Sequence, residues 1–229
     1  MHYIRKAHER GQANFGWLQS KHSFSFGRYL DPKHMGFSTL RVINEDKLSP
    51  GQGFATHGHR DMEIISYVIA GALKHKDSTG NEYSVPAGDI QRMSAGSGIM
   101  HSEYNASNSE TAHFLQIWIQ PKLRGITPSY EQKSIIQTAP LTPLVTPSGE
   151  QGSVSINQDA SLYRLQLTTG QTYDLQTNHR KGYFHVISGS VEADADTFSS
   201  GDAFALNSEQ RVTLTAKDQL EALWFDLPA

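Results

Sequence analysis

The residues best able to do chemistry in this chain lie in Thr56-His57-Gly58-His59-Arg60-Asp61-Met62-Glu63. His57 and His59 are two apart, and a strand sends residues i and i+2 to one face. Imidazole pairs of that kind suit zinc, copper, iron or nickel. His101 and Glu103 form a second pair with the same spacing. Two adjacent antiparallel strands can place His-x-His and His-x-Glu around one ion. Such a set supplies three nitrogens and one oxygen, and on a metal that prefers six ligands it leaves two positions for water, substrate or O2. Glu63 is the competing carboxylate, because an unbroken strand would turn it to the face of His57 and His59. Asp61 shares that parity but sits at the edge of an apolar run and is expected to face solvent. The chain has no cysteine, which excludes thiolate metal sites and disulfides.

Most of the eleven histidines call for no chemistry. His113 precedes an apolar strand and is expected to be half-buried and hydrogen-bonded. His22, His34 and His75 are expected at the surface or a pocket rim. His179 and His185 lie in the second half, where no metal is expected. Phe24, Phe26, Phe54 and Met93 are expected in the core, with the wall of an aromatic pocket as their alternative place. Gly96 and Gly98 fit a tight loop with positive φ. No Lys-Ser/Thr follows them, so they form no phosphate loop.

These pairs require strands to carry them. With 229 residues the chain makes one large β domain or two small ones. Strands are predicted over 22–26, 37–43 (closed by Asn44-Glu45-Asp46) and 63–69, and over 112–119, the last as a central strand. Residues 121–150 hold five of the nine prolines and read as a crossover with little regular structure, apart from a short helix near Ser129 to Lys133. Short strands then resume at 153–156, 162–167, 171–175, 183–187, 190–193, 203–206, 211–215 and 220–226. That spacing means a sandwich or barrel.

An internal repeat is visible. Val68-Ile69-Ala70-Gly71-Ala72-Leu73 matches Val186-Ile187-Ser188-Gly189-Ser190-Val191, and Ala87-Gly88-Asp89 matches Ser200-Gly201-Asp202. The offsets are 118 and 113, and they carry His57 and His59 to Leu175 and Thr177, and His101 and Glu103 to Leu214 and Ala216. One scaffold is used twice, and only its first copy carries ligands. The expected units are 1–135 with the metal site and 136–229 without one.

Net charge is −3 and no block of like charge occurs, which gives no footprint for nucleic acid or an anionic membrane. Met1 to Arg10 has no apolar segment of the signal-peptide kind, and no apolar run approaches a membrane span. A cytoplasmic location is expected, with a monomer whose two barrels cover their own edges.

Gly51, His57-x-His59, Glu63 and Gly71 resemble the first motif of the cupins, and Gly80, Pro86-x-Gly88, His101 and Asn105 resemble the second. Twelve residues rather than two separate Gly88 from His101. That insert, with His22-Ser23-Phe24-Ser25-Phe26 and Gly125-Ile126-Thr127-Pro128, resembles the pirin branch of the superfamily. The resemblance implies an all-β bicupin, two jelly-roll-like barrels packed together, with His57, His59, His101 and Glu103 as ligands to one divalent metal. It favours Fe(II), with Ni, Cu, Co, Mn and Zn as alternatives. It also implies quercetin 2,3-dioxygenase activity on a flavonol and O2, with loss of carbon monoxide. Glu103 is then the candidate general base. The alternative readings are a metal-bearing, redox-sensing interaction protein of the pirin type and a zinc-dependent isomerase or hydrolase. An open channel to the metal distinguishes an enzyme from a regulator.

Overall fold

Two patterns of side chains form the strands: alternation of buried and exposed residues, as in Ala72–Asp77 and Arg211–Ala216, and continuous burial on both faces, as in Glu63–Ala70 and Ala203–Leu206. The structure is a computed structural model that describes residues 1 and 3–229. The first half holds β1 (Tyr3–Arg5), β2 (Gly11–Asn14), β3 (Leu18–His22), β4 (Leu40–Leu48), β5 (Gly53–His59) and β6 (Glu63–Ala70). It continues with β7 (Ala72–Asp77), β8 (Glu82–Pro86), β9 (Asp89–Ser94), β10 (Ile99–Asn105), β11 (Ala112–Ile119) and β12 (Ser129–Ser134). The second half holds β13 (Leu141–Thr146), β14 (Val154–Ser155), β15 (Ser161–Leu167), β16 (Thr172–Gln176) and β17 (Lys181–Ser188). It ends with β18 (Ser190–Ala193), β19 (Asp196–Ser199), β20 (Ala203–Leu206), β21 (Arg211–Ala216) and β22 (Leu220–Leu227).

Each half pairs a seven-stranded sheet with a four-stranded one: β12-β9-β6-β11-β4-β3-β2 with β5-β10-β7-β8, then β1-β20-β17-β22-β15-β13-β14 with β16-β21-β18-β19. This is the all-β bicupin architecture. The two large sheets bury an apolar layer drawn from both halves, including Ile43, Ile65, Tyr67 and Ile117 from the first and Leu162, Tyr183, Leu223 and Phe225 from the second. The repeat reaches the level of register. A shift follows His113 in the β11–β6 ladder, and a shift falls at the matching place between Val186 and Ser188 in the β17–β22 ladder.

The barrels also exchange edge strands. β1 pairs with β20 of the second sheet, while β12 pairs with β9, the matching strand of the first. Each barrel is thus edged by the segment that precedes the other. β1, inside the expected unit 1–135, lies in the sheet of the other unit.

Four sequence expectations are corrected. Residues 129–134 form strand β12 instead of a helix, because their backbone groups complete the β9 ladder. The 121–150 crossover is correspondingly more regular than expected, with β13 in it as well. Strand β3 ends at His22, and a bridge between Phe26 and Tyr29 bends the chain. Phe24 then enters the layer between the large sheets, whereas Phe26 turns to a cavity. β4 does not close at Asn44 but runs to Leu48. Among the described residues, no helix is long and apolar enough to cross a membrane.

Candidate metal centre

β5 and β10 are antiparallel neighbours with His101 directly opposite His57 and Ile99 opposite His59. Both pairs therefore project to one face of the small sheet. His57, His59 and His101 offer nitrogens that all lie within 4.8 Å of one another. The Nε2 atoms of His57 and His101 are 3.1 Å apart. His57 Nδ1–H donates to the Ala55 carbonyl at 2.8 Å, which fixes the tautomer and leaves the Nε2 lone pair directed into the cluster. Burial, with the His101 and His57 rings beside it, pushes the His59 imidazole down to about 4. Burial likewise pushes His101 down to about 4, against the pull of Glu103. Both rings are neutral at pH 7, the form that binds metals.

Glu103 is fully enclosed and joins His101 and His75 in a second group of close donors. Ser66 donates to Oε1 at 3.0 Å and Gln91 at 3.4 Å, while Gln116 donates to Oε2 at 2.6 Å. Burial raises the Glu103 carboxyl, but the His101 and His75 rings and these hydrogen bonds outweigh it, so it stands below its ordinary value. A carboxylate has about four acceptor sites. Three are taken here, and one lone pair of Oε2 is left.

The His57 Nε2 lone pair facing His101 Nε2 across 3.1 Å, with the neutral His59 and His101 rings, fits a single divalent metal, since nitrogens bound to one ion at ~2.1 Å lie about that far apart; Glu103 joins this cluster through His101 and not through His57 and His59. The cluster opens into a cavity of about 680 Å³. His57, His59 and Glu103 form part of its wall, and Trp17, Phe26, Tyr29, Phe54 and Trp118 supply aromatic faces. Ser20, His22, Asn44 and Asp46 line it too. Burial, with the Glu103 and Glu45 carboxylates near it and the Ser20 hydroxyl opposing them, pushes the Asp46 carboxyl up to about 7.

Glu63 stands apart from these donors. Asp61 takes a left-handed φ of 48° in the turn between β5 and β6, which breaks the parity that linked Glu63 to His57 and His59. Glu63 is buried instead against Ser94, whose hydroxyl donates at 2.7 Å, and the Asn157 backbone N–H at 3.1 Å. Asp61 accepts from the Gly125 N–H at 2.7 Å. His75 and His22, expected at the surface or a rim, are both buried. His75 Nε2 meets Asp77 at 3.0 Å inside the barrel. His34 is hydrogen-bonded to the Tyr3 hydroxyl, and half-buried His113 meets Glu45 at 3.0 Å. His179 is exposed beside Glu209, and His185 is buried in β17. Met93 is core, and Phe54 lines the cavity. Gly96 and Gly98 have positive φ, and a Cβ at Gly96 would strike the Ile126 carbonyl.

Ser66, Gln91 and Gln116 were not singled out from the sequence. The signal for Ser66 and Gln116 is one polar residue at an inward position of an apolar strand, as in Phe114-x-Gln116-x-Trp118, whereas Gln91 lies in a mostly polar strand and carries no such signal.

Fold and cluster together define a two-barrel cupin with a histidine-rich centre in its first barrel. Residues 3–119 match the family model described as Pirin, and residues 143–227 match that of the quercetinase C-terminal cupin domain. The chain belongs to the pirin family. It is 47% identical to a protein of Escherichia coli (strain K12) named quercetin 2,3-dioxygenase, over 100% of this chain and 99% of that protein. The crystal structure of a bacterial pirin from Escherichia coli in complex with nickel(II) superposes with a TM-score of 0.95 at 46% identity, over 99% of this chain and 98% of that one. A Geobacillus kaustophilus structure at 21% identity, TM-score 0.82, covering 100% of this chain and 96% of its own, shares the fold.

Proposed function

We propose that this protein is a metal-dependent dioxygenase that opens the heterocycle of flavonols such as quercetin with O2 and releases carbon monoxide. The observation that carries this reading is the placement of the histidine cluster in the wall of a deep aromatic cavity. A protein that used its metal for sensing alone would need no such space. The name of the Escherichia coli relative supports the same substrate class.

His57, His59, His101 and Glu103 would hold one divalent metal, with iron(II) the first choice and nickel, copper, cobalt, manganese and zinc the alternatives. When bound, the metal supplies a Lewis-acidic and redox-capable centre for the enol oxygen and O2. The remaining lone pair of Glu103 Oε2 serves as ligand atom or as acceptor of the enol proton, one at a time. Ser66, Gln91 and Gln116 keep that carboxylate ionised and in place. The aromatic walls stack the substrate rings and exclude water.

The test is elemental analysis of the purified protein, followed by O2 uptake and carbon monoxide release with quercetin across the candidate metals. The expected result is one O2 consumed per carbon monoxide released, in proportion to bound metal. Absence of O2 uptake with every metal would overturn the reading.

A further inference from the structure

The cavity has a second polar end that the chemistry above does not use. Asn44 and Asp46 on β4 face the same space as His57, His59 and Glu103, as do Ser20 and His22 on β3. Ser20 is directly opposite Asp46, and His22 opposite Asn44. On its other side Asn44 is opposite Gln116, the donor to Glu103. Strands are ~4.8 Å apart, so Asn44 stands one such spacing from Gln116 and His22 stands two.

This end is built as a site. Asn44 is 2% exposed and Asp46 3%. Ser20 Oγ and His22 Nε2 are hydrogen-bonded at 2.8 Å. Asn44 Oδ1, Asp46 Oδ1 and His22 Nδ1 are buried with no hydrogen-bond partner in the protein. Buried acceptors cost stability unless a donor reaches them. The fold does not demand them, because the register-matched residues of the second barrel are Tyr163 and Leu165. Asn44 Oδ1 accepts, and the Asp46 carboxyl accepts when ionised and can also donate when protonated, so a complementary ligand presents hydroxyls, which do both. The Trp118 and Phe26 rings link His59 to His22, with centroid distances of 5.0 Å, 5.4 Å and 5.4 Å along the series, and these aromatic faces call for a flat ring system.

We propose that Asn44 and Asp46, braced by Ser20 and His22, form a hydroxyl-binding subsite that selects ring substrates carrying phenolic hydroxyls remote from the group that meets the histidine cluster. The subsite deepens the flavonol reading and rests on it for the substrate class. It makes a polyhydroxylated flavonol a better ligand than one whose only hydroxyl is the metal-directed enol.

The probes are quercetin and 3-hydroxyflavone, titrated into metal-loaded protein under nitrogen and read by tryptophan fluorescence, since Trp17 and Trp118 line the cavity. Wild type is expected to bind quercetin at least about tenfold more tightly, roughly one hydrogen bond's worth. Asp46→Leu and Asn44→Ala should each bring that ratio towards one, and Asp46→Asn, which keeps an acceptor, should retain most of it. A purely structural role would weaken both ligands alike and leave the ratio unchanged, which would overturn the proposal, as would a wild-type ratio of one. Should Asp46→Leu fail to fold, Asn44→Ala decides by the same ratio. Selective quercetin binding without O2 uptake would sink the dioxygenase reading and leave the subsite standing. Equal turnover of both flavonols with no binding preference would do the reverse.

Discussion

The two barrels share a backbone and differ in what they place inside it. Across the large sheet of the first barrel, Gln91, Ser66, Gln116 and Asn44 stand directly opposite one another on four successive strands. The matching row of the second barrel is Phe204, Phe184, Trp224 and Tyr163. On the small sheet His57 and His101 face each other, and Leu175 and Val212 take their places. Glu103 lies opposite His75, and Leu214 lies opposite Ala193. The second interior packs solid, with the Phe184 and Phe204 rings stacked at 4.9 Å. Each large apolar side chain buried there contributes about 1.5–3 kcal/mol. The first interior gives up part of that packing to keep polar groups, a carboxylate and an open cavity. One barrel is built for stability and the other for a site.

The sharpest way to break this contrast is to remove a ligand. His101→Ala should abolish metal retention and lower quercetin-dependent O2 uptake by more than about 100-fold, beyond the usual loss for an outer partner. Metal analysis and an oxygen electrode measure both. Full activity without metal would dissolve the distinction between the barrels.

The converse substitution puts a carboxylate where Glu103 has its counterpart. Leu214→Glu lacks the donors that Ser66, Gln91 and Gln116 provide, because Phe184, Phe204 and Trp224 stand there. A buried, unpaired carboxylate should cost about 4 kcal/mol in a denaturant titration. No second metal should bind.

Gln116→Leu brings one position of the first barrel towards the second. It removes the 2.6 Å donor to Glu103 Oε2, and metal affinity should fall about 10–100-fold in a chelator competition. An unchanged affinity would mean that the polar row does not serve the ligands.

The exchanged edge strands offer the smallest effect. β12 is tied down by Glu131, which meets Arg92 at 3.2 Å, Lys133 at 2.9 Å and the Ser155 N–H at 2.9 Å. Burial raises the Glu131 carboxyl, but hydrogen bonds from Ser155 and Lys133 outweigh it and hold it at about 2. A depressed carboxyl stabilises the fold above its unfolded value of about 4.3, and that stability is lost as pH falls towards 2. Solvent screening limits it to about 1 kcal/mol. Thermal melts at pH 6 and pH 2 should show Glu131→Gln less stable than wild type at pH 6 and nearly equal to it at pH 2. β1 carries no such carboxylate.

Much of this was readable from the chain. Runs of β-branched and aromatic residues marked β6 and β11, which are buried on both faces, and alternation marked β21, which is half-buried. The spacing of His57 with His59 and of His101 with Glu103 nominated four donors, which the fold places in two groups that share His101, one with His57 and His59 and the other with His75 and Glu103. The apolar character of the second copy was legible too, although the positions matching His101 and Glu103 are Val212 and Leu214, two residues before the ones expected, because Val212 follows Asp202 by ten positions where His101 follows Asp89 by twelve. β12 escaped notice because an edge strand with two half-exposed faces shows little apolar alternation.

Other features exist only in three dimensions. A single left-handed residue, Asp61, turned Glu63 away from the histidines. Strand order brought Gln91, Ser66, Gln116 and Asn44 into one row, though they are scattered over about a third of the chain. It also buried His75 and His22, which local sequence does not separate from surface histidines. Residue type and spacing set which atoms could bind or react, because those are local properties of the chain. Which of them meet, what holds them there and what space they face depend on cross-strand register, which only the folded sheets supply.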